Sequence, residues 1–250
     1  MFIFFLTFGR NLVDNLNMFK KTKAEPKSET TRKHLLGTAL SLFRHKGLDA
    51  TTMRHIAKEA DVALGAAYYY FDSKEAIVQA YYGQVQTQHA RRVKDAFEKE
   101  SLDLLQRLRV VFHTKLEIVS EDRKILGALF RYTGEPNHPL SVFGEGTRAN
   151  REQSLEIFRL ALAGEEIPEE FAPVLPLALW ALHMGALLYF IYDESPNQER
   201  THKLVDSVLA QLVRLFGVMS LPIFSPFRGS IATLFREARI LPEEMPPSAG

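Results

Sequence analysis

The residues best suited to chemistry lie between Thr51 and Glu75, in the run TTMRHIAKEADVALGAAYYYFDSKE. A helix of about two turns, a tight connection over residues 61–64 and a second short helix form a helix-turn-helix unit. Ile56, Ala57, Ala60 and Val62 are expected to pack the first helix against Ala67 and Phe71 of the second. That leaves Gly65, Ala66, Tyr68 and Tyr69 on the outer face. Ala63, Gly65 and Ala66 carry little side chain, so the start of the second helix can sit deep in a major groove. Its free N–H groups and positive dipole end would meet phosphate there. The chemistry is noncovalent recognition of a grooved polyanion.

Bond-making chemistry finds no comparable motif. The chain has no cysteine, which removes disulfides, thiolate metal sites and a thiol nucleophile, and which fits a reducing cytoplasm. There is no glycine-rich phosphate loop, no H-E-x-x-H pair and no G-x-S-x-G elbow. Glu165, Glu166, Glu169 and Glu170 read as loop and helix-start charges. No catalytic residue, cofactor or metal is therefore expected. The net charge of +1 hides an asymmetry: residues 18–92 hold thirteen basic and seven acidic side chains, while residues 93–250 hold seventeen against twenty-two. A basic front and an acidic remainder suit a protein whose front alone meets a polyanion, although solvated charged faces give the same count.

Almost every segment has helical period, and the expected fold class is all-α. Leu35, Leu36, Ala39, Leu42 and Phe43 form one face of a helix over Thr31–Lys46, with Ser28 as its N-cap and Gly47 as its stop. The short helices of the central unit follow, the second ending at Phe71, and Asp72–Ser73 caps a long helix over Lys74–Lys99. Further helices are expected at Leu102–Val119, Asp122–Tyr132, Gly146–Ala163, Glu169–Asp193 and Gln198–Met219, with a weak one at Ser230–Arg239. Breaks fall at Gly134–Gly146 and Ser195–Asn197. The apolar run Leu177–Tyr192 contains His183 and is shorter than the roughly 20 residues of a membrane span, so a buried bundle helix is the expectation. Residues 1–9 are apolar, but too short to span a bilayer and without a signal-peptide pattern; Met18 is an alternative start.

The pattern T-x-R-x-I-A-x-x-A-x-V-x-x-G-x-x-Y-x-x-F-x-S-K-E, with Phe43 to Gly47 upstream, resembles the DNA-binding domain of the tetracycline-repressor (TetR) family. The resemblance implies a DNA-binding domain at 28–90 and a helical effector-binding and dimerisation domain at 91–221. An arm at 1–27, disordered or assigned from too early a start, and an extension at 222–250 would flank them. It also implies a homodimer on double-stranded operator DNA, most simply a repressor released by a small hydrophobic or amphipathic effector. By position, Thr52 would cap its helix and touch phosphate, and Arg54 would reach a guanine edge. Leu64, Gly65 and Ala66 would lie against bases, Tyr68 and Tyr69 would bond phosphate or a base edge, and Lys74 would clamp a phosphate. Three departures stand out. Asp61 replaces a turn glycine, Ala63 a capping serine, and Ala66–Ala67 a threonine–leucine pair.

Two long C-terminal helices suit pairing of two subunits. Ala178, Ala181, Gly185 and Ala186 permit close approach, and Leu204, Val208, Leu212, Leu215 and Phe216 form a stripe. Packing within one subunit produces the same pattern; the geometry of groove reading favours the dimer. The resemblance further implies an effector pocket among the middle helices. Its candidates are Phe112, His113, Leu116, Phe130, Tyr132, Trp180, His183 and Met184, each of which also suits a plain core. A buried histidine needs a hydrogen-bond partner.

Overall fold

The computed structural model describes residues 27–224 except residue 136, and six positions between 226 and 237. Expectations for residues 1–26, and for most of 230–239, lie outside that range. Among the described residues the regular structure is helical: α1 (Lys27–Lys46), α2 (Met53–Glu59), α3 (Leu64–Tyr70), α4 (Lys74–Lys99), α5 (Leu104–Ile118), α6 (Arg123–Arg131), α7 (Arg148–Leu162), α8 (Leu175–Tyr192) and α9 (Glu199–Met219). The all-α expectation agrees with this architecture.

Helices α1–α3 form a small head. Leu35, Leu36, Ala39 and Phe43 of α1 close over Ile56, Ala57 and Ala60 of α2, and all are buried. Gly47 ends α1 in the left-handed region (φ 83°), its amide bonded back to Phe43 O at 3.0 Å. The helix already runs at Lys27, so Ser28 lies inside it and is not its cap. Phe71 is the C-cap of α3, one residue beyond the helix that the sequence ended on it.

Helix α4 leaves the head and enters a body made with α5–α9. Ser73 caps it by accepting from the Ala76 amide at 3.1 Å. Asp103 and Gln106 form a reciprocal capping box that starts α5. The eighth helix starts at Leu175 rather than Glu169: residues 169–174 fold as turns, with Pro173 among them as the breaker, whereas Pro176 sits in the first turn of α8, where proline is tolerated. It is long and apolar enough to cross a membrane by length and composition. Here Leu179, Trp180, His183, Leu187 and Phe190 are buried in the body.

The α8–α9 corner is tightly held. Asn197 (φ 52°) and Gln198 (φ 54°) both adopt the left-handed region that side chains disfavour. The buried Asp193 carboxylate fixes the turn by accepting from the Ser195 amide (2.9 Å) and hydroxyl (2.6 Å) and from the Thr201 amide (2.8 Å) and hydroxyl (2.7 Å). Burial pushes this carboxyl up, but the four hydrogen bonds outweigh it and hold it well below the usual carboxylate range.

Candidate nucleic-acid interface and interior cavity

Helix α2 begins where Thr52 accepts from the His55 amide at 3.2 Å. Its hydroxyl is exposed, as is Arg54 in the first turn. The turn into α3 passes through Asp61 at φ 51°, the conformation a glycine would adopt without strain. Ala63 precedes α3 without a side-chain cap. Ala67 is fully buried and Phe71 nearly so, which anchors α3 on α2.

The opposite side of α3 faces out. Tyr69 is 79% exposed and Tyr68 47% exposed. Tyr70 is half-buried, its ring edge-on to Tyr69 at 5.1 Å. Gly65 is exposed, while Leu64 and Ala66 are half-buried. Lys74 donates to Leu48 O at 3.0 Å, which ties the start of α4 to the loop after α1 and leaves the ammonium two further donors. Thr52, Arg54, Gly65, Tyr68, Tyr69 and Lys74 thus belong to one compact two-helix unit and the residue that fastens it to α4.

The head meets the body through a buried carboxylate. Asp122, just before α6, accepts from Arg44 Nε of α1 at 2.6 Å and from the Tyr81 hydroxyl of α4 at 2.5 Å. Burial, then the Asp122 hydrogen bond, pushes the Tyr81 hydroxyl far up, so it stays a neutral donor. A second, exposed link joins Arg131 to Asp49 at 2.7 Å.

Inside the body lies a cavity of about 90 Å³ between α4, α5, α6, α7 and α8. Leu126, Phe130, Val142, Trp180, Met184 and Leu187 give it an apolar wall. Tyr81, Tyr82, Gln86, Lys115, Arg151, Ser154 and His183 supply its polar atoms. Of the pocket candidates read from the sequence, Phe130, Trp180, His183 and Met184 line this cavity.

Others lie elsewhere. Phe112 lines a separate apolar cavity of about 110 Å³ between α5, α8 and α9 and stands 4.8 Å ring to ring from His183, and Leu116 is a buried core residue. His113 lies at the α5–α9 seam, where its Nδ1 stands 2.8 Å from His202 Nδ1 and its Nε2 stands 3.1 Å from Asp206. Tyr132 stacks on His138 at 3.7 Å and points its hydroxyl at Asp49. Helical phase explains both errors: His113 is one position past the inward Phe112, and Tyr132 follows the last turn of α6.

Lys115, Gln86 and Ser154 were missed, although the sequence carried a signal. Lys115 continues the apolar stripe of Leu108, Val111 and Phe112, and Gln86 sits between Val85 and His89 on the buried face of α4. A charge on an apolar stripe was the cue.

Two family models cover most of the chain. Residues 35–81 match the bacterial regulatory proteins of the tetR family, and residues 107–225 match the tetracyclin repressor-like C-terminal domain. The chain belongs to the TetR family. Among curated relatives, the regulator AcrR of Shigella flexneri is 29% identical over 116 residues, 44% of this chain and 50% of that protein. The repressor KstR2 of Rhodococcus jostii is 49% identical over 47 residues, 19% of this chain and 23% of its own. The matched segments thus span half or less of these relatives. In fold, the chain resembles FadR from Bacillus subtilis in complex with stearoyl-CoA, with a TM-score of 0.57 at 16% identity over 71% of this chain and 96% of that one.

Proposed function

We propose that this TetR-family chain is a homodimeric, cytoplasmic transcription regulator that binds operator DNA and leaves it when a small molecule fills the interior cavity. One observation carries the reading. Tyr68 and Tyr69 stand out from a short helix whose other side is locked by Ala67 and Phe71, and are 47% and 79% exposed. Large exposed rings on a rigid two-helix unit suit contact with a duplex and serve no packing role.

The rest of the molecule supports it. An apolar face runs over α8 and α9, where Leu188, Tyr189, Tyr192, Leu204, Leu215 and Val218 are exposed beside the small Ala178, Ala181 and Gly185. A second copy is the occupant that a palindromic operator requires, and a contiguous apolar patch of this kind marks an interface. Repression is the sense of the KstR2 name, and regulators rather than enzymes are the curated relatives described above.

The same helix, α4, carries Lys74 at the head and Tyr81, Tyr82, Val85 and Gln86 at the cavity. A ligand that favours one position of α4 against α6 would act on Arg44 through Tyr81 and Asp122. The response is a shift between two populated arrangements, of a size set by the ligand's differential affinity.

Selection of bound fragments from random duplexes tests the reading. The expected product is a palindrome with half-sites about one helical turn apart, bound by a dimer with an affinity that falls steeply with salt. A monomer without duplex affinity at low salt would sink it.

A further inference from the structure

We propose that the cavity binds a compact amphipathic carboxylate, its anionic head paired with the Lys115 ammonium and its apolar body lying along Phe130, Trp180 and Leu187. This rests on the cavity being the effector site and adds the chemistry of the effector.

The cavity holds an unbalanced charge. Lys115 is 6% exposed, and its ammonium donates to the Gln86 side-chain oxygen, a neutral group. That amide is already committed, its nitrogen donating to Asn150 O at 2.9 Å and to the Ser154 hydroxyl. The other cation at the cavity, Arg151, donates to backbone oxygens of Val142 (2.8 Å) and Gly144 (3.4 Å). No Asp or Glu lines the cavity, and among the described residues no carboxylate pairs with Lys115 or Arg151. The polar and titratable side chains that share the cavity lining with Lys115 are Tyr81, Tyr82, Gln86, Thr147, Asn150, Arg151, Ser154 and His183, and its charge also acts on His89 of α4; none of them is an acid of the carboxylate class.

A second observation points the same way. His183, 3% exposed, lines the cavity, and its Nε2 has no hydrogen-bond partner. Buried polar atoms are normally satisfied, and a buried charge is normally paired. Two such exceptions in one cavity describe a site whose missing component is an anion. A carboxylate would give Lys115 a charged acceptor and leave an oxygen for a further donor.

The apolar wall sets the rest of the ligand. Apart from its polar groups the lining includes Leu126, Phe130, Val142, Trp180 and Leu187. A cavity of about 90 Å³ is smaller than the roughly 150 Å³ that accommodates benzene in an engineered core. The ligand body is therefore at most about one ring or a short acyl chain, and even that enters only as side chains of the wall give way. A thioester has no carboxylate at this end, so acyl-CoA belongs to a different head chemistry.

Burial lowers the Lys115 ammonium to about 7, so an anion binding beside it at about pH 8 should draw a proton from solution. The His183 imidazole, lowered to about 3 by burial and by Lys115, stays neutral throughout.

Calorimetry on the full chain decides the matter, with octanoate, phenylacetate, their primary amides, acetate and lauroyl-CoA as probes. At least one of the two larger acids should bind about ten-fold or more tightly than its amide, a typical margin for a buried charge pair, and more tightly than acetate. Titrations at about pH 8 in phosphate and in Tris should differ in heat by the uptake of most of one proton per bound acid. Lys115→Met, with its folding checked by thermal transition, should lose both the ten-fold margin and the proton uptake. Equal binding of acid and amide, failure of both acids at millimolar concentration, or preference for lauroyl-CoA would overturn the proposal. Operator binding by the unmodified chain is measured separately. Its loss would refute the regulator, whereas intact operator binding with no acid preference would refute the ligand class alone.

Discussion

The head and the body place their polar side chains in opposite ways. In α1–α3 the interior is almost wholly apolar, and the groups fit for recognition, Thr52, Arg54, Tyr68 and Tyr69, stand outside. In α4–α9 the interior holds Lys115, His89, His183, Gln86, Asp122 and Asp193. A surface that must meet a rigid duplex is served by a closed, featureless core behind it. A body that, on the proposed function, responds to a small molecule keeps polar groups where burial makes them costly and therefore sensitive. The difference separates a part built to hold its shape from a part built with unfinished contacts.

The comparison breaks most easily where the two parts join. Asp122→Ala would strand the Tyr81 hydroxyl and free Arg44, and should destabilise the chain by about 2–4 kcal/mol. Most of this is the unsatisfied buried hydroxyl and the lost charge-assisted hydrogen bonds, since Arg44 is 38% exposed and can rehydrate. Denaturant unfolding checks this. A loss under about 1 kcal/mol would mean that the junction is not a coupling element.

Next in size is the outward face. The double variant Tyr69→Ala with Lys74→Ala should weaken duplex binding by about 100-fold, since each good contact contributes about 1–3 kcal/mol. The salt dependence should also become shallower by about one unit. Fluorescence anisotropy at several salt concentrations measures both, and unchanged affinity would mean that α3 no longer reads DNA.

The interior contrast is sharpened by Lys115→Met, which should stabilise the ligand-free chain by about 1–4 kcal/mol at neutral pH. The pH dependence has a definite sign. Below about 7 folded and unfolded chains both carry the Lys115 proton, and the full burial penalty applies. Between about 7 and 10.5 the unfolded chain retains a proton that the folded chain has lost, so stability rises with pH. The variant should lack this rise in a series of thermal transitions. His183 acts in the acid window: stability falls as pH drops from 6.5 to about 3, where the unfolded chain alone is protonated.

The smallest expected effect lies in the head. Asp61→Gly relieves a positive φ and should stabilise by about 0.5–1 kcal/mol, or less if the added freedom of the unfolded chain offsets the gain. A clear loss would show that the Asp61 carboxylate does something the turn geometry does not explain.

Legibility in the sequence followed the same division. The span of α4, the Thr52 and Ser73 caps and the outward tyrosines could be read because each is set by local spacing. The cavity could not, because its wall combines residues from five helices whose relative rotation no single stretch encodes. Phe130, Trp180, His183 and Met184 were found as large or polar residues on apolar helices. His113 and Tyr132 satisfied the same description and lie elsewhere, since one residue of helical phase turns a side chain by about 100°. Lys115 was overlooked because an isolated lysine ordinarily reads as solvent-facing.

The corner at Asp193 has a consequence for assembly. Helix α9 takes its heading from two left-handed residues and one carboxylate rather than from a flexible linker. A sister molecule docked along α8 and α9 would inherit that heading, and with it the span between the paired reading surfaces. Removing the Asp193 carboxylate, far from any base, would then alter which operators fit, much as bending a compass at its pivot changes the circle it draws.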